Sequence, residues 1–152
     1  MIRVLVDSNV LVDFLARRAG FYALARKLMV FAEMGDYELW MSSSQVTDVF
    51  YVLSSGGKAS CAPAAREALA ALRRFVHVCA PGEREVDRAL GSAWTDFEDA
   101  LVYQVATSID ASVIVTRNGR DFARSAIPVC TPEEFFSWMT RHCHVAYEEV
   151  AL

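Results

Sequence analysis

Short apolar runs rich in β-branched residues recur along this chain, and the stretches between them have helical spacing. IRVLV (2–6), YELWM (37–41), FVHVCA (75–80), ASVIVT (111–116) and IPVC (127–130) have strand length and strand composition. The first run ends at Asp7-Ser8-Asn9, all helix-capping types, and NVLVDFLAR follows with helical spacing. A buried strand feeding directly into a helix is the opening of an α/β fold. Strand and helix then alternate to the end, which predicts a parallel sheet with helices on both faces.

The helices have readable ends. Residues 21–34 form an amphipathic stretch closed by Gly35, and Ser42-Ser43-Ser44 cap a helix running through QVTDVFYVL to Gly56-Gly57. Pro63 opens a helix over about 63–74, and another is expected over about 83–93. Thr95 and Glu98 have the spacing of a capping box for a helix over 97–109. Thr131 caps TPEEFFSWM, with Pro132 at its first position. The expected organisation is one domain over residues 1–140 and a tail over 141–152 with no assigned structure.

At 152 residues and 54% apolar composition, the chain suffices for one substantial core. No apolar run reaches the ~18 residues of a membrane span, so no membrane partner is expected. The N-terminus reads as strand and helix, not as a cleaved leader. The four cysteines are scattered and form no CxxC, which fits reduced thiols and a cytoplasmic location. His142-Cys143-His144 reads as the end of an amphipathic helix, since alternate residues on a helix face apart.

Four carboxylates occupy telling places: Asp7 after the first strand, Asp48 on a helix after the second, Asp99 (with Asp96) at a helix head, and Asp121 after the fourth strand. Ligands of open α/β sheets sit beyond the carboxyl ends of the strands, and the chain order sends all four there. Gathered carboxylates repel one another unless cations lie among them, and hard ions such as Mg²⁺ take oxygen ligands. Each acid also has a plainer role. Asp7 could cap a helix, Asp96 and Asp99 suit a helix's first turn, and Asp48 and Asp121 could be solvated. The argument for a site rests on their convergence. Ser8, Asn9, Thr116 and Asn118 stand where they could hydrogen-bond ligands or waters, and Arg117, Arg120 and Arg124 flank the pocket, where they could contact the phosphates of a bound backbone or simply form a solvated loop that balances the acids. A net charge of −4 excludes a general nucleic-acid coat protein, although two divalent ions would cancel four carboxylates.

VLVDSNVLVDFL (4–15), SSSQVTDVFYVL (42–53), DFEDALVYQVA (96–106), VIVTRNGRDF (113–122) and IPVCTPEEF (127–135) together make the chain similar to the PIN-domain ribonucleases, particularly the VapC-like toxins. The resemblance runs from Met1 to about Met139. It implies a three-layer α/β/α sandwich around a five-stranded parallel sheet, and cleavage of RNA that depends on Mg²⁺ or Mn²⁺. It places the catalytic acids on Asp7, Asp48, Asp99 and Asp121, with metal contact from Asp7, Asp96, Asp99 and Asp121. It also implies a homodimer and a small antitoxin protein that covers an apolar groove, for which residues 21–31 and 46–53 are the candidate surface. Asp48 is a departure, because the family carries the longer Glu there. That leaves open a PIN-fold RNA- or protein-binding module that does not cut. A phosphatase lacks support, since Asp7-Ser8-Asn9 has no Asp-x-Asp pattern.

Overall fold

Strand β1 (Arg3–Val6) lies at the middle of a five-stranded sheet whose order is β3-β2-β1-β4-β5. The computed structural model describes residues 1–147. β2 is Glu38–Ser42, β3 Val76–Cys79, β4 Val113–Val115 and β5 Val129–Cys130, and every pairing is parallel. Helices α1 (Ser8–Leu15), α2 (Tyr22–Glu33), α3 (Ser43–Leu53), α4 (Ala62–Leu72), α5 (Glu83–Leu90), α6 (Phe97–Ser108) and α7 (Pro132–Cys143) connect and flank the strands.

The strands alternate between two cores, as the two-residue side-chain period requires. Val4 and Val6 of β1, Leu39 and Met41 of β2, and Val113 and Val115 of β4 face one core with residues of α1, α2, α3, α4 and α7. Leu5 and Ile114 face the other, with Val102, Val105 and Ala106 of α6 and with Phe122. The register sets these side chains abreast: Val4 lies beside Leu39 and Val113, and Leu5 beside Trp40 and Ile114. This makes the three layers, and it explains why the inner strands read as unbroken apolar runs.

Strand order reverses between β1 and β4. The chain steps outward from β1 to β2 and β3, then returns to the other side of β1 for β4 and β5. Such a switch point opens a crevice at the carboxyl ends of the two strands where the helices diverge. Asp7 follows β1 and Thr116 follows β4, so both stand at its floor.

Local signals explain most element ends. Ser42 caps α3 and Gln45 completes its capping box; Thr131 does the same for α7 with Glu134, and Pro132 opens that helix. Gly35 ends α2 at φ 91°, a left-handed value that favours glycine. One expectation is corrected. α6 is capped by Asp96, whose side chain accepts the Asp99 amide at 3.0 Å, not by Thr95. Asp96 is the residue with extended backbone, so the helix starts at Phe97 as expected, but its cap is Asp96 and Glu98 is released from a capping role. A 3-10 turn over Gly119–Phe122 was not anticipated; Gly, Arg and Asp there carry no apolar period to announce it. The boundary expected at residue 140 falls inside α7, and of the expected tail, residues 148–152 lie outside the described residues.

Leu5 is fully buried, and its side chain enters the smaller core. Leu5→Ala is expected to destabilise the fold by about 2–5 kcal/mol, the usual cost of such a cavity, as read by urea denaturation followed by circular dichroism.

Candidate active site

Asp7 occupies the turn from β1 into α1 and is held on every side. Its amide donates to the Val115 carbonyl at 2.9 Å, which carries the β1–β4 ladder one step past the strand. Its carboxylate caps α1, with Oδ1 accepting the Ser8 amide at 2.7 Å. Oδ2 accepts the Thr116 hydroxyl at 2.7 Å and the Asn9 side-chain amide at 2.9 Å. The capping role and the site role therefore coexist. Thr116 is fully buried, and its oxygen also accepts the Asn118 amide at 3.0 Å. Three of the four supporting polar residues read from the sequence thus meet Asp7 directly, and Asn118 joins through Thr116.

Gln45 is a fully buried polar residue that sequence reasoning passed over. Its side chain donates to the Val6 carbonyl at 2.9 Å and to the Ser8 hydroxyl at 3.2 Å, and it accepts the Ser42 amide. It ties the start of α3 to the end of β1, which fixes the approach of Asp48. A glutamine three residues after a capping serine was the available signal.

The other acids gather around Asp7. Burial pushes the Asp99 carboxyl up to about 7, reinforced by the charges of Asp96, Asp7 and Asp121. Burial likewise raises Asp7; the bonds from Thr116 and Ser8 oppose that rise, and the charge of Asp121 adds to it. Asp48 finds a partner that was not foreseen. Its carboxyl lies near Glu98, and burial together with the neighbouring Asp48 carboxyl pushes Glu98 up to about 7. Six acids therefore share one region: Asp7, Asp48, Asp96, Glu98, Asp99 and Asp121. None of them has a Lys or Arg ion pair among the described residues.

Beside Asp99 a cleft of ≈ 220 Å³ opens, lined by Trp94, Asp96, Asp99, Arg120, Asp121 and Arg124 among others. Arg120 and Arg124 are exposed there, as the sequence suggested. Arg117 is placed differently. Its guanidinium is bonded to the buried Asp13 at 2.6 and 3.3 Å and lies 4.1 Å from the centre of the Phe21 ring. Asp13 carried no functional signal in the sequence, since it stands within an otherwise apolar helix.

The donor set is all hard oxygen, and its acids raise one another's proton affinity; the charge of Arg117 eases Asp7 in part, but among the described residues no Lys or Arg forms a direct ion pair with any of the six. That fits a divalent cation drawn from solvent. Among the described residues, no three His, Cys, Asp or Glu side chains already stand close enough to share one ion. Mg²⁺ is usually held by one or two carboxylates with waters and substrate phosphate completing its shell, so a preformed trio is not required.

The raised acids carry a signed consequence for stability. Glu98 and Asp99 have ordinary values of 4.5 and 3.8 and folded values of about 7. Between these limits the folded chain holds more protons than the unfolded one, so stability falls as pH rises. Metal-free protein is expected to melt at a higher temperature near pH 5 than near pH 8, with millimolar Mg²⁺ or Mn²⁺ reducing that slope; scanning calorimetry across the range reads both.

A PIN domain family model matches residues 3–120. The chain is similar to "Ribonuclease VapC1" of Aquifex aeolicus (strain VF5), at 28% identity over 141 residues, 88% of this chain and 92% of that protein. Among solved structures it resembles VapC20 of Mycobacterium tuberculosis, described as a sarcin-ricin loop cleaving toxin, with TM-score 0.62 and 16% identity over 80% of this chain and 94% of that one. It also resembles DNA-bound VapBC of Salmonella typhimurium, with TM-score 0.65 and 15% identity over 87% of this chain and 99% of that one.

Proposed function

Since this chain belongs to the PIN domain family, we propose that it is a divalent-metal-dependent endoribonuclease, the toxin half of a toxin–antitoxin pair acting in the cytoplasm. The observation that carries the reading is the convergence of Asp7, Asp96, Asp99 and Asp121 at the carboxyl edge of the sheet, beside a cleft that also presents Arg120 and Arg124. The likeness to a ribonuclease over 92% of that relative's length supports the same activity.

Asp7 and Asp99 would hold Mg²⁺ or Mn²⁺ directly, with Asp96 and Asp121 reaching it through its waters and Asp48 approaching from α3. The ion would supply charge relief on the phosphate and acidify the attacking water. Thr116, Asn9 and Ser8 keep the Asp7 carboxylate turned to the crevice. Arg120 and Arg124 offer paired donors to the RNA backbone, while the guanidinium of Arg117 is engaged by Asp13.

Partner surfaces are also available. Of the two apolar stretches singled out from the sequence, Phe21 and Leu24 on one and Tyr51 and Val52 on the other remain exposed. We assign this surface to a second copy of the chain and to a small antitoxin, in line with the toxin–antitoxin complexes that share the fold. Among the described residues no helix is long and apolar enough to cross a membrane.

The alternative is a PIN-fold module that holds RNA or protein without cutting. One observation favours it: Asp48 is a methylene shorter than the family's Glu and is engaged by Glu98. Two measurements separate the readings. Purified wild type in Mn²⁺ is expected to cut RNA, and Asp7→Asn to abolish cutting. If wild type leaves tRNA, rRNA and mRNA intact at several pH values, yet retains RNA whether or not Asp7 is substituted, the module reading stands. Asp48→Glu is expected to raise the cutting rate by about 10-fold in a manganese titration beside wild type; an unchanged rate would show that this position does not limit the site.

A further inference from the structure

We propose that Asp13 and Arg117 are positioning residues: together they fasten the loop after β4 to α1, and this sets the orientation of Asp7 and the placement of Asp121. The proposal rests on the ribonuclease reading and adds a part to it.

Asp13 is almost wholly buried, a setting in which an ionised carboxylate must be paired. Arg117 pairs it through two parallel bonds, Nε to Oδ2 at 2.6 Å and Nη2 to Oδ1 at 3.3 Å. Arg18 approaches the same carboxylate at 3.6 Å from a more exposed position. The Phe21 ring covers the guanidinium. A fork held in this way has little left to offer a passing phosphate.

The same arginine is gripped a second time. Its backbone amide donates to Asn9 Oδ1 at 3.3 Å. The other end of that Asn9 side chain donates to Asp7 Oδ2 at 2.9 Å and to Thr116 Oγ1 at 3.2 Å. Asn9 and Asp13 are four residues apart, so they share one face of α1. The helix thus holds the side chain of Arg117 with one residue and its main chain with the other. Asn118 and Asp121 follow directly in the loop: the Asn118 amide is bound by Thr116, and the Asp121 amide by the Asn118 carbonyl at 3.0 Å. A shift of Arg117 would displace Asn9, turn the Asp7 carboxylate and release the segment that carries Asp121.

A buried ion pair is a poor device for stability alone, because apolar residues of similar volume often replace it at no loss. What the fork adds is a fixed geometry. That difference supplies the test. Asp13→Leu/Arg117→Met replaces the pair by apolar side chains, and Arg117→Lys keeps the charge but loses the fork. Four quantities are read for each variant and wild type: melting temperature, amide hydrogen exchange at Asn118 and Asp121 without metal, Mn²⁺ affinity by calorimetry, and kcat and KM for RNA.

The expected result is a double variant that melts close to wild type, with exchange at those amides at least about tenfold faster, Mn²⁺ bound about 10-fold more weakly, and a lower kcat at unchanged KM. Arg117→Lys should show the same changes in smaller measure, and it decides the matter if the double variant does not fold. A raised KM with unaltered exchange and Mn²⁺ affinity would overturn the proposal and make Arg117 an RNA contact. No change in exchange, affinity or kcat would overturn it by leaving the pair only a packing role. If wild type cuts no RNA, the ribonuclease reading fails by itself, while exchange and Mn²⁺ affinity still decide the clamp.

Discussion

Everything at the crevice depends on one short hydrogen bond, from the Thr116 hydroxyl to Asp7 Oδ2 at 2.7 Å. It joins the ends of two strands that are adjacent in space and more than a hundred residues apart in sequence. A carboxylate at this depth is penalised by burial, and its charged form persists only where donors meet it. Thr116, Ser8 and Asn9 are those donors. They orient the group but do not neutralise it, so the remaining charge is directed outward to whatever cation or proton arrives. The strain of gathering acids is thereby concentrated at one edge of the sheet, while among the described residues Asp13 is the one charged side chain that is buried.

The sheet itself was legible because its inner strands are buried on both faces, and such strands announce themselves as unbroken apolar runs. β1 and β4 are the clearest cases, and the turn into α1 was visible in the capping residues Asp7, Ser8 and Asn9. Chain order suggested the end of the sheet where Asp7, Asp99 and Asp121 come near enough to act on one another's charge. What stayed hidden were pairings between distant residues. Nothing local marks Asp13 as the partner of Arg117, or Glu98 as the partner of Asp48, since each looks like an ordinary charge on a helix. The reading of Thr95 as a cap failed for a related reason. Thr-x-x-Glu and Asp-x-x-Asp are offset by a single residue here, and backbone geometry at Asp96 decided between them.

Glu98 shows how a family pattern can bend without dissolving. With Asp96 taking the capping role, the side chain of Glu98 is free to meet Asp48. The acidic character of that corner then comes from two side chains on two helices, Asp48 on α3 and Glu98 on α6. Hard cations respond to the number and reach of oxygens more than to which helix supplies them.

The strand order has a consequence for the growing polypeptide. The hydroxyl that orients Asp7 arrives with the last inner strand, and Asp121 arrives later still. A chain released from the ribosome's tunnel as far as α4 already contains the central strand, its capping acid and the helix bearing Asp48, yet has no groove to place them in. Synthesis therefore separates the making of the parts from their assembly, and the crevice closes only when nearly the whole polypeptide is available to fold.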